Sequence, residues 1–567
     1  MAHDVTSGAQ PRPAALPLLV LYGTEGGNAE DLALAAGRAA AARGVAARVL
    51  GLDRFSPEQL AAAAAALFFV STSGLGEMPE NAERFWMALS GQDAPRLPRL
   101  RYGMLGLGDR SYLRFCQAAR DLDARLTELG AQPVIGRQDC DDDFDAPAAR
   151  WTEQALDRLA AAVPSLAAGA GAPNTPGAAA QPAREVPATV TASRRLTDPS
   201  SDREVRHYTL ALETAAGSGA AASAPPSFSP GDSVDIAVPN DPALVALVCR
   251  RLGLDPEAVV TDRAAGSVPA GTGTAAPLAV VLARRELRRL SVPLLAEVAR
   301  RGADPELSRL LASPASAALA RWAEPRDLAQ AAAEHPRARF TAAELVSLLP
   351  PLRPRAYSIA SSPLVDPDRI DLAVRTVAYT ADGRRQWGAV SGGLAHRTRV
   401  GDVVPVRIRP NRAFRLPDDP DAAVVMVGAG VGVAPFRAFL QHRAARGDRG
   451  RSWLLYGLRS PDEDALYQDD FETWTRGGVL THLDPAPSRG PGPREYVQHR
   501  LRARGSEVFD WLCAGAILYV CGDARGMAPA VRLAIRAIAA ERLGGYPEAD
   551  RFLDALDETG HYRQDVY

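Results

Sequence analysis

Residues 355–362 read Arg355, Ala356, Tyr357, Ser358, Ile359, Ala360, Ser361 and Ser362. In a strand-like run, Arg355 and Tyr357 stand two apart and leave the same face. A guanidinium and an aromatic ring on one face suit the phosphates and the planar ring of a single ligand. Farther along, Gly388, Ala389, Val390 and Ser391 form a short glycine-led loop. β-type runs surround these two features at residues 188–192, 208–212, 234–238, 356–359 and 372–377. Between them, residues 241–349 read as helical, with Leu287, Leu290, Leu294 and Val298 spaced for one helix face.

The rest of the chain has a different rhythm. A buried-strand run at 424–427 leads into Gly428, Ala429, Gly430, Val431, Gly432, Val433, Ala434, Pro435, Phe436 and Arg437. A glycine-rich turn between such a strand and a helix opened by proline is a dinucleotide-type loop. On the N-terminal side, strand-like runs at 18–22, 67–70 and 102–105 alternate with helical stretches, the pattern of a parallel sheet covered on both faces. A loop follows each of these strands. The first is Gly23, Thr24, Glu25, Gly26, Gly27, Asn28 and Ala29, small and polar and immediately before a helix, which suits a phosphate. The second runs through Ser71, Thr72, Ser73 and Gly74, and the third through Leu107, Gly108, Asp109 and Tyr112 to Cys116. Loops at the C-terminal ends of parallel strands are where open α/β sheets bind ligands.

Composition narrows the function classes. A chain of 567 residues exceeds one hydrophobic core and predicts several domains. Its net charge of -2 provides no global field toward nucleic acid or an anionic membrane. Every Lys+Arg position is an arginine, which removes lysine from any catalytic role. Cys116, Cys140, Cys249, Cys513 and Cys521 are scattered, without a C-x-x-C pair, as expected of a reducing compartment. No run is long and apolar enough for a membrane span, so a soluble, cytoplasmic protein is expected. The acidic run Asp139, Asp141, Asp142, Asp143 and Asp145 is either solvated surface or a docking site for a basic acceptor.

These motifs, in this order, resemble the NADPH-dependent diflavin reductases. Residues 17–160 resemble their flavodoxin-like FMN domain, with Leu107 to Cys116 (LGDRSYLRFC) in register. The R-x-Y-S stretch and the 388–391 loop resemble the FAD site of the ferredoxin–NADP reductase superfamily, and the A-P-F-R-A-F run resembles its NADP domain. The terminal Asp565, Val566 and Tyr567 resemble the end of bacterial sulfite reductase flavoproteins, relatives of the cytochrome P-450 reductases.

The resemblance implies an FMN site at Thr24, Glu25, Gly26, Gly27, Asn28, Ala29, Ser71, Thr72, Ser73, Gly74, Leu107, Gly108, Asp109, Tyr112 and Cys116. It implies an FAD site at Arg355, Ala356, Tyr357, Ser358, Tyr379, Gly388, Ala389, Val390, Ser391 and Tyr567. NADPH would meet Gly430, Val431, Ser488, Arg489, Arg494, Tyr496, Gln498, Cys521 and Asp523. Ser358, Cys521, Asp565 and Tyr567 would be catalytic: Cys521 beside the nicotinamide, Asp565 orienting Cys521 and Ser358, and Tyr567 covering the FAD ring. The chain departs from the family at Gly26, Ser73, Arg375, Val431, Arg494 and Ala530.

The expected architecture is α/β multidomain. Residues 1–16 are disordered, 17–160 form the doubly wound FMN domain, and 161–184 are a flexible linker. Residues 185–415 form a β-barrel FAD domain with a helical connecting insert at 241–349, and 416–567 form an α/β NADP domain. Electrons would pass from NADPH through FAD and FMN to a redox protein. The resemblance implies the sirohaem iron–sulfur subunit of assimilatory sulfite reductase. The alternatives are a cytochrome or nitrite/nitrate reductase partner, or an FAD-only reductase whose flavodoxin-like domain serves for docking.

Overall fold

A computed structural model describes residues 18–24, 27–72, 76–108, 110, 114–141, 144–164, 166, 185–213, 227–262, 274–312, 317–381, 383–489, 494–524 and 526–567. Two compact units divide the chain: Met1–Ala178 with Ser291–Leu295 and Glu306–Ala320, and the remainder.

The first unit is built on a six-stranded parallel sheet. Its strands are β1 (Leu18–Gly23), β2 (Ala47–Gly51), β3 (Ala65–Ser71), β4 (Arg101–Leu107), β5 (Gln132–Pro133) and β6 (Gln138–Cys140). The order is β2-β1-β3-β4-β5, with β6 also pairing with β4. Successive side chains of a strand leave opposite faces, and β1 divides accordingly. Leu19 and Leu21 enter one core with Phe68, Tyr102 and Phe85, while Leu18 and Val20 enter another with Phe69, Leu105 and Trp151. Burial on both faces is why these strands read as unbroken apolar runs rather than alternating ones. The chain order reverses between β1 and β3, the place where a doubly wound sheet opens a crevice.

The second unit contains a barrel and a second parallel sheet. The barrel strands are β7 (Val186–Arg195), β8 (Val205–Leu212), β9 (Ser233–Ile236), β12 (Arg355–Ser358), β13 (Arg369–Arg375) and β16 (Val403–Arg409). Their order is β12-β9-β16-β7-β8-β13, and an Ile359–Leu372 bridge joins the two outer strands. Tyr208, Leu210, Val234, Ile236, Ile370, Leu372, Val406 and Ile408 fill its interior.

The insert departs from the expected all-helical segment. It carries an antiparallel ribbon of β10 (Val259–Asp262) and β11 (Thr274–Pro277), and the buried Arg285 pairs with Asp262. Leu287 and Leu290 are buried but precede the helix Val292–Gly302 rather than lying on it. Ser291 Oγ accepts from Leu294 N at 3.4 Å, and Pro293 enters the first turn, so capping chemistry starts the helix later than apolar spacing suggests. A short hairpin of β14 (Ala378–Ala381) and β15 (Arg384–Trp387) precedes the helix Ala389–His396.

The parallel sheet of this unit comprises β17 (Val424–Ala429), β18 (Ser452–Leu458), β19 (His482–Pro487), β20 (Ile517–Gly522) and β21 (Tyr562–Val566). Its order is β19-β18-β17-β20-β21, so the direction of winding switches between β17 and β20, again a crevice at the carboxyl ends. Among the described residues no helix is long and apolar enough to cross a membrane.

Candidate active site

Strand register creates the central cluster. β21 pairs with β20 so that Asp565 lies opposite Cys521, and β17 places Gly428 on the other side of Cys521. Ser358, the last residue of β12, donates from Oγ to Asp565 Oδ2 at 2.9 Å. Cys521 Sγ donates to the same oxygen at 3.9 Å. Burial pushes the Cys521 thiol well above its usual range, and the Asp565 carboxylate adds to the shift, so this sulfur is a thiol and not a thiolate nucleophile. Burial also raises Asp565, against the hydrogen bonds from Ser358 and Cys521. The structure thus assembles three of the four residues named catalytic from sequence, on strands of two different sheets. Tyr567 follows directly: its N donates to Gly522 O at 3.0 Å and its O accepts from Ala524 N at 3.2 Å. The main chain of Tyr567 is pinned to the end of β20, and burial pushes its hydroxyl well above the usual range.

The loops around this cluster have the shape and donors that phosphates require. After β17, Gly430 takes φ +55, and a Cβ on Gly432 would collide with the Cys521 carbonyl oxygen. The turn Gly430–Val433 runs into the helix Ala434–Arg446, whose cap Val433 offers no polar side chain. Its first N–H groups are therefore available to an anion. The same holds where Gly388 opens the helix Ala389–His396. There Ser391 Oγ is already engaged by Val377 N at 3.1 Å, so its hydroxyl anchors the loop, and Val390 is buried beneath. Arg355 and Tyr357 are both half-buried on β12, and Ala356 points out from the opposite face. Tyr379 on β14 is partly exposed, with Arg288 beside its hydroxyl.

Beyond β19, Ser488 is half-buried and Arg489, Arg494 and Tyr496 are exposed, with Gln498 half-buried one turn on. Arg489 lies 3.7 Å from Asp202. Sequence reading missed Arg203, whose pKa is lowered by burial and then by the neighbouring cations Arg459 and Arg375. Asp202 already pairs with Arg459 there, so Arg203 stands among charges of both signs. The departure at Arg375 adds a positive charge to that place. Asp523 uses its carboxylate locally, accepting from Gly526 N at 2.7 Å and Met527 N at 3.3 Å. Val431 packs partly against the core below the turn.

In the first unit, β1, β3 and β4 end side by side. Gly27 adopts φ +83 and caps the helix Asn28–Ala42 without a side chain. Thr24 Oγ1 accepts from Gly27 N at 3.0 Å, and Asn81 Oδ1 accepts from Thr24 N at 2.6 Å, which shapes the loop. Ala29 is buried in the core. Ser71 Oγ donates to Gly23 O at 3.2 Å, and Thr72 N donates to Leu107 O at 2.9 Å, tying the second loop to the first and third. A Cβ on Gly108 would meet Cys116 N, and Cys116 is buried at φ +52. Glu25, Gly26, Ser73, Gly74, Asp109 and Tyr112 lie outside the described residues. In the acidic run, Asp139 pairs with Arg120 and Arg137 at 3.0 and 2.8 Å, and Arg110 lies 3.8 Å from Asp141. Arginines thus compensate these two carboxylates, whereas Asp142 and Asp143 lie outside the described residues.

Comparisons with known proteins agree with this geometry. Residues 20–151 match the flavodoxin family, 179–392 the FAD binding domain family, and 426–533 the oxidoreductase NAD-binding domain family. The chain is 38% identical to the sulfite reductase [NADPH] flavoprotein alpha-component of Bacillus subtilis, covering 99% of this chain and 91% of that protein. It is 35% identical to the corresponding proteins of Vibrio vulnificus and Neisseria meningitidis, over 100% and 98% of this chain and 89% and 90% of theirs. With these three family matches in order along one chain and relatives at 35–38% identity over nearly its whole length, the chain belongs to the sulfite reductase [NADPH] flavoprotein alpha-component family.

Proposed function

We propose that this NADPH-dependent oxidoreductase supplies electrons to a haem-containing sulfite reductase partner, through modules at 17–160, 185–415 and 416–567. Bound FAD and FMN would supply the chemistry that turns the hydride of NADPH into single electrons for the acceptor. The observation that carries the reading is the meeting of Ser358, Cys521 and Asp565 beside the glycine turn of a winding-switch crevice. Ser358 and Cys521 hold their protons toward Asp565 and polarise the transfer without forming bonds. Tyr567, whose main chain is pinned to the end of β20, supplies an aromatic ring beside this cluster, suited to covering a planar ring. The N-termini of the helices Asn28–Ala42, Ala389–His396 and Ala434–Arg446 hold the phosphates of FMN, FAD and the nucleotide.

Three measurements test this reading. Purified protein is expected to release FMN and FAD in equal amounts; FAD alone would remove the two-flavin path. NADPH is expected to drive reduction of ferricyanide, of cytochrome c and, with a sulfite-reducing haemoprotein added, of sulfite to sulfide. Ferricyanide reduction without any sulfide would reject the proposed partner. Finally, Ser488, Arg494 and the Arg203 cluster read the adenosine 2′-phosphate. Arg494→Leu or Arg203→Leu should raise KM for NADPH about tenfold, the scale of a lost charge-assisted hydrogen bond, and leave KM for NADH unchanged. Equal effects on both nucleotides would count against this assignment.

A further inference from the structure

The carboxylate of Asp565 is held from both sides. Oδ2 receives Ser358 and Cys521, whereas Oδ1 receives Asn411 Nδ2 at 3.4 Å. Asn411 stands in the short link between β16 and the 3-10 turn Arg412–Phe414. Beneath it lies Asp232, 1% exposed. Asp232 Oδ1 accepts from Asn411 N at 2.8 Å and pairs with Arg415 at 2.6 Å. Its Oδ2 accepts from Ser229 N at 2.8 Å, and its carbonyl accepts from Ile359 N at 2.9 Å. One buried aspartate therefore fixes the main chain next to Ser358 and the main chain of the residue that meets Asp565. The preceding Gly231 permits this approach: it takes φ +97, and a Cβ there would run into the Phe414 carbonyl.

We propose that Asn411 is a positioning residue for electron transfer, orienting the Asp565 carboxylate so that one oxygen faces both Ser358 and Cys521. The inference rests on the reading of those residues as the transfer site. The torsion about the carboxylate of an aspartate is broad and nearly two-fold, so donors on Oδ2 alone leave the group free to twist. A donor on Oδ1 fixes the plane. It also favours the ionised form, opposing the burial that raises Asp565.

Among the described residues, few other charged or titratable groups stand near Asp565. Cys521 faces it from β20, and Tyr567 directly follows its strand, with Arg375 and Asp523 near. Arg563 on the same strand is turned to the carbonyls of Gly560 and Arg415. Arg412 of the 3-10 turn is exposed, and Arg415 is paired with Asp232. The helix Tyr546–Glu558 brings Ala549, Leu553 and Leu556 to the same apolar core as Tyr562 of β21.

The test uses the two-flavin protein and the variants Asn411→Ala and Asn411→Asp, both of which keep the backbone N–H bound by Asp232. In Asn411→Ala, single-turnover reduction of FAD by NADPH at neutral pH should fall about tenfold with KM for NADPH within twofold. The low-pH limb of the rate should move up by about one unit, and farther in Asn411→Asp, where a like charge faces Asp565. A second readout needs no NADPH. The hydrogen bond stabilises ionised Asp565 more than the neutral acid, so the Tm gap between wild type and Asn411→Ala should widen by about 2 °C from pH 5 to pH 8. That widening should vanish in an Asp565→Asn background. A Tm gap independent of pH, or a slower rate with its acid limb in place, would reduce Asn411 to a loop residue and overturn the proposal, as would unchanged kinetics. A wild type that NADPH does not reduce would reject the site reading itself, while the Tm comparison would still decide the contact between Asn411 and Asp565.

Discussion

Asp565→Asn is expected to slow reduction of FAD by NADPH about a hundredfold while both flavins stay bound, the lower range for loss of a positioned proton partner. The substitution keeps the shape but removes an acceptor that takes Ser358 Oγ at 2.9 Å and Cys521 Sγ at 3.9 Å. An amide can accept through one atom only, so its NH2 would face either the Asn411 donor or the donors of Ser358 and Cys521. The pH dependence has a definite sign. Burial sets the folded pKa of Asp565 above the ordinary carboxylate value, so the wild-type rate should fall as pH drops through that raised value. The variant should lack this limb. Stability runs the other way: ionising a carboxylate whose folded pKa is raised destabilises the fold as pH climbs from the unfolded to the folded value. The Tm of Asp565→Asn at neutral pH should therefore not fall below wild type. Slow reduction without loss of Tm separates chemistry from damage; a rate within threefold of wild type would remove Asp565 from the transfer site.

Arg437→Leu is expected to cost about 3–5 kcal/mol of stability, the usual scale for removing one partner of a buried ion pair. The Arg437 side chain is 11% exposed, and its Nη1 donates to Asp371 at 3.0 Å. Nη1 also donates to Ala360 O and Nε to Asp470, each at 2.6 Å, with the guanidinium over the Tyr467 ring. This arginine, in the first turn of the helix after the glycine turn, thus fastens the barrel strand β13 and the residue two beyond Ser358. Burial alone would raise Asp371, but His207, Arg437 and Thr209 hold it at about 2. A carboxylate depressed in this way contributes stability above its unfolded pKa and loses it as pH falls toward the folded value. The deficit of Arg437→Leu relative to wild type should consequently be largest near pH 7 and shrink on acidification through that window. Urea unfolding at pH 7 and at about pH 3, inside that window, measures both, and a deficit that does not change between them would mean that packing, not charge, holds this junction. Arg437→Lys should fall between the two proteins, since an ammonium keeps the charge but cannot bridge both carboxylates and a carbonyl.

Much of the fold was legible because it depends on local chemistry. Apolar runs buried on both faces announce parallel strands, and glycines followed by a helix announce phosphate turns. Gly430 and Gly432 illustrate the second, one for its φ and the other for the carbonyl pressed against it. The insert was less legible. Spacing placed Leu287 and Leu290 on a helix, yet Ser291 and Pro293 start that helix afterwards, and the ribbon of β10 and β11 left no clear alternation of its own.

By itself, the sequence determined the family and the fold classes, and it singled out Ser358, Cys521, Asp565 and Tyr567 as candidates, since each sits in a short motif whose residues are neighbours along the chain. Only the tertiary structure decided what holds them. Asn411 is separated from Asp565 by 154 positions and from Asp232 by 179, and Arg203 meets Arg459 and Arg375 from other elements. No periodicity records such pairs. The contacts of Asn411 exist because strand order and register bring distant parts of the chain to one crevice, where burial turns ordinary polar side chains into the partners that set geometry and charge.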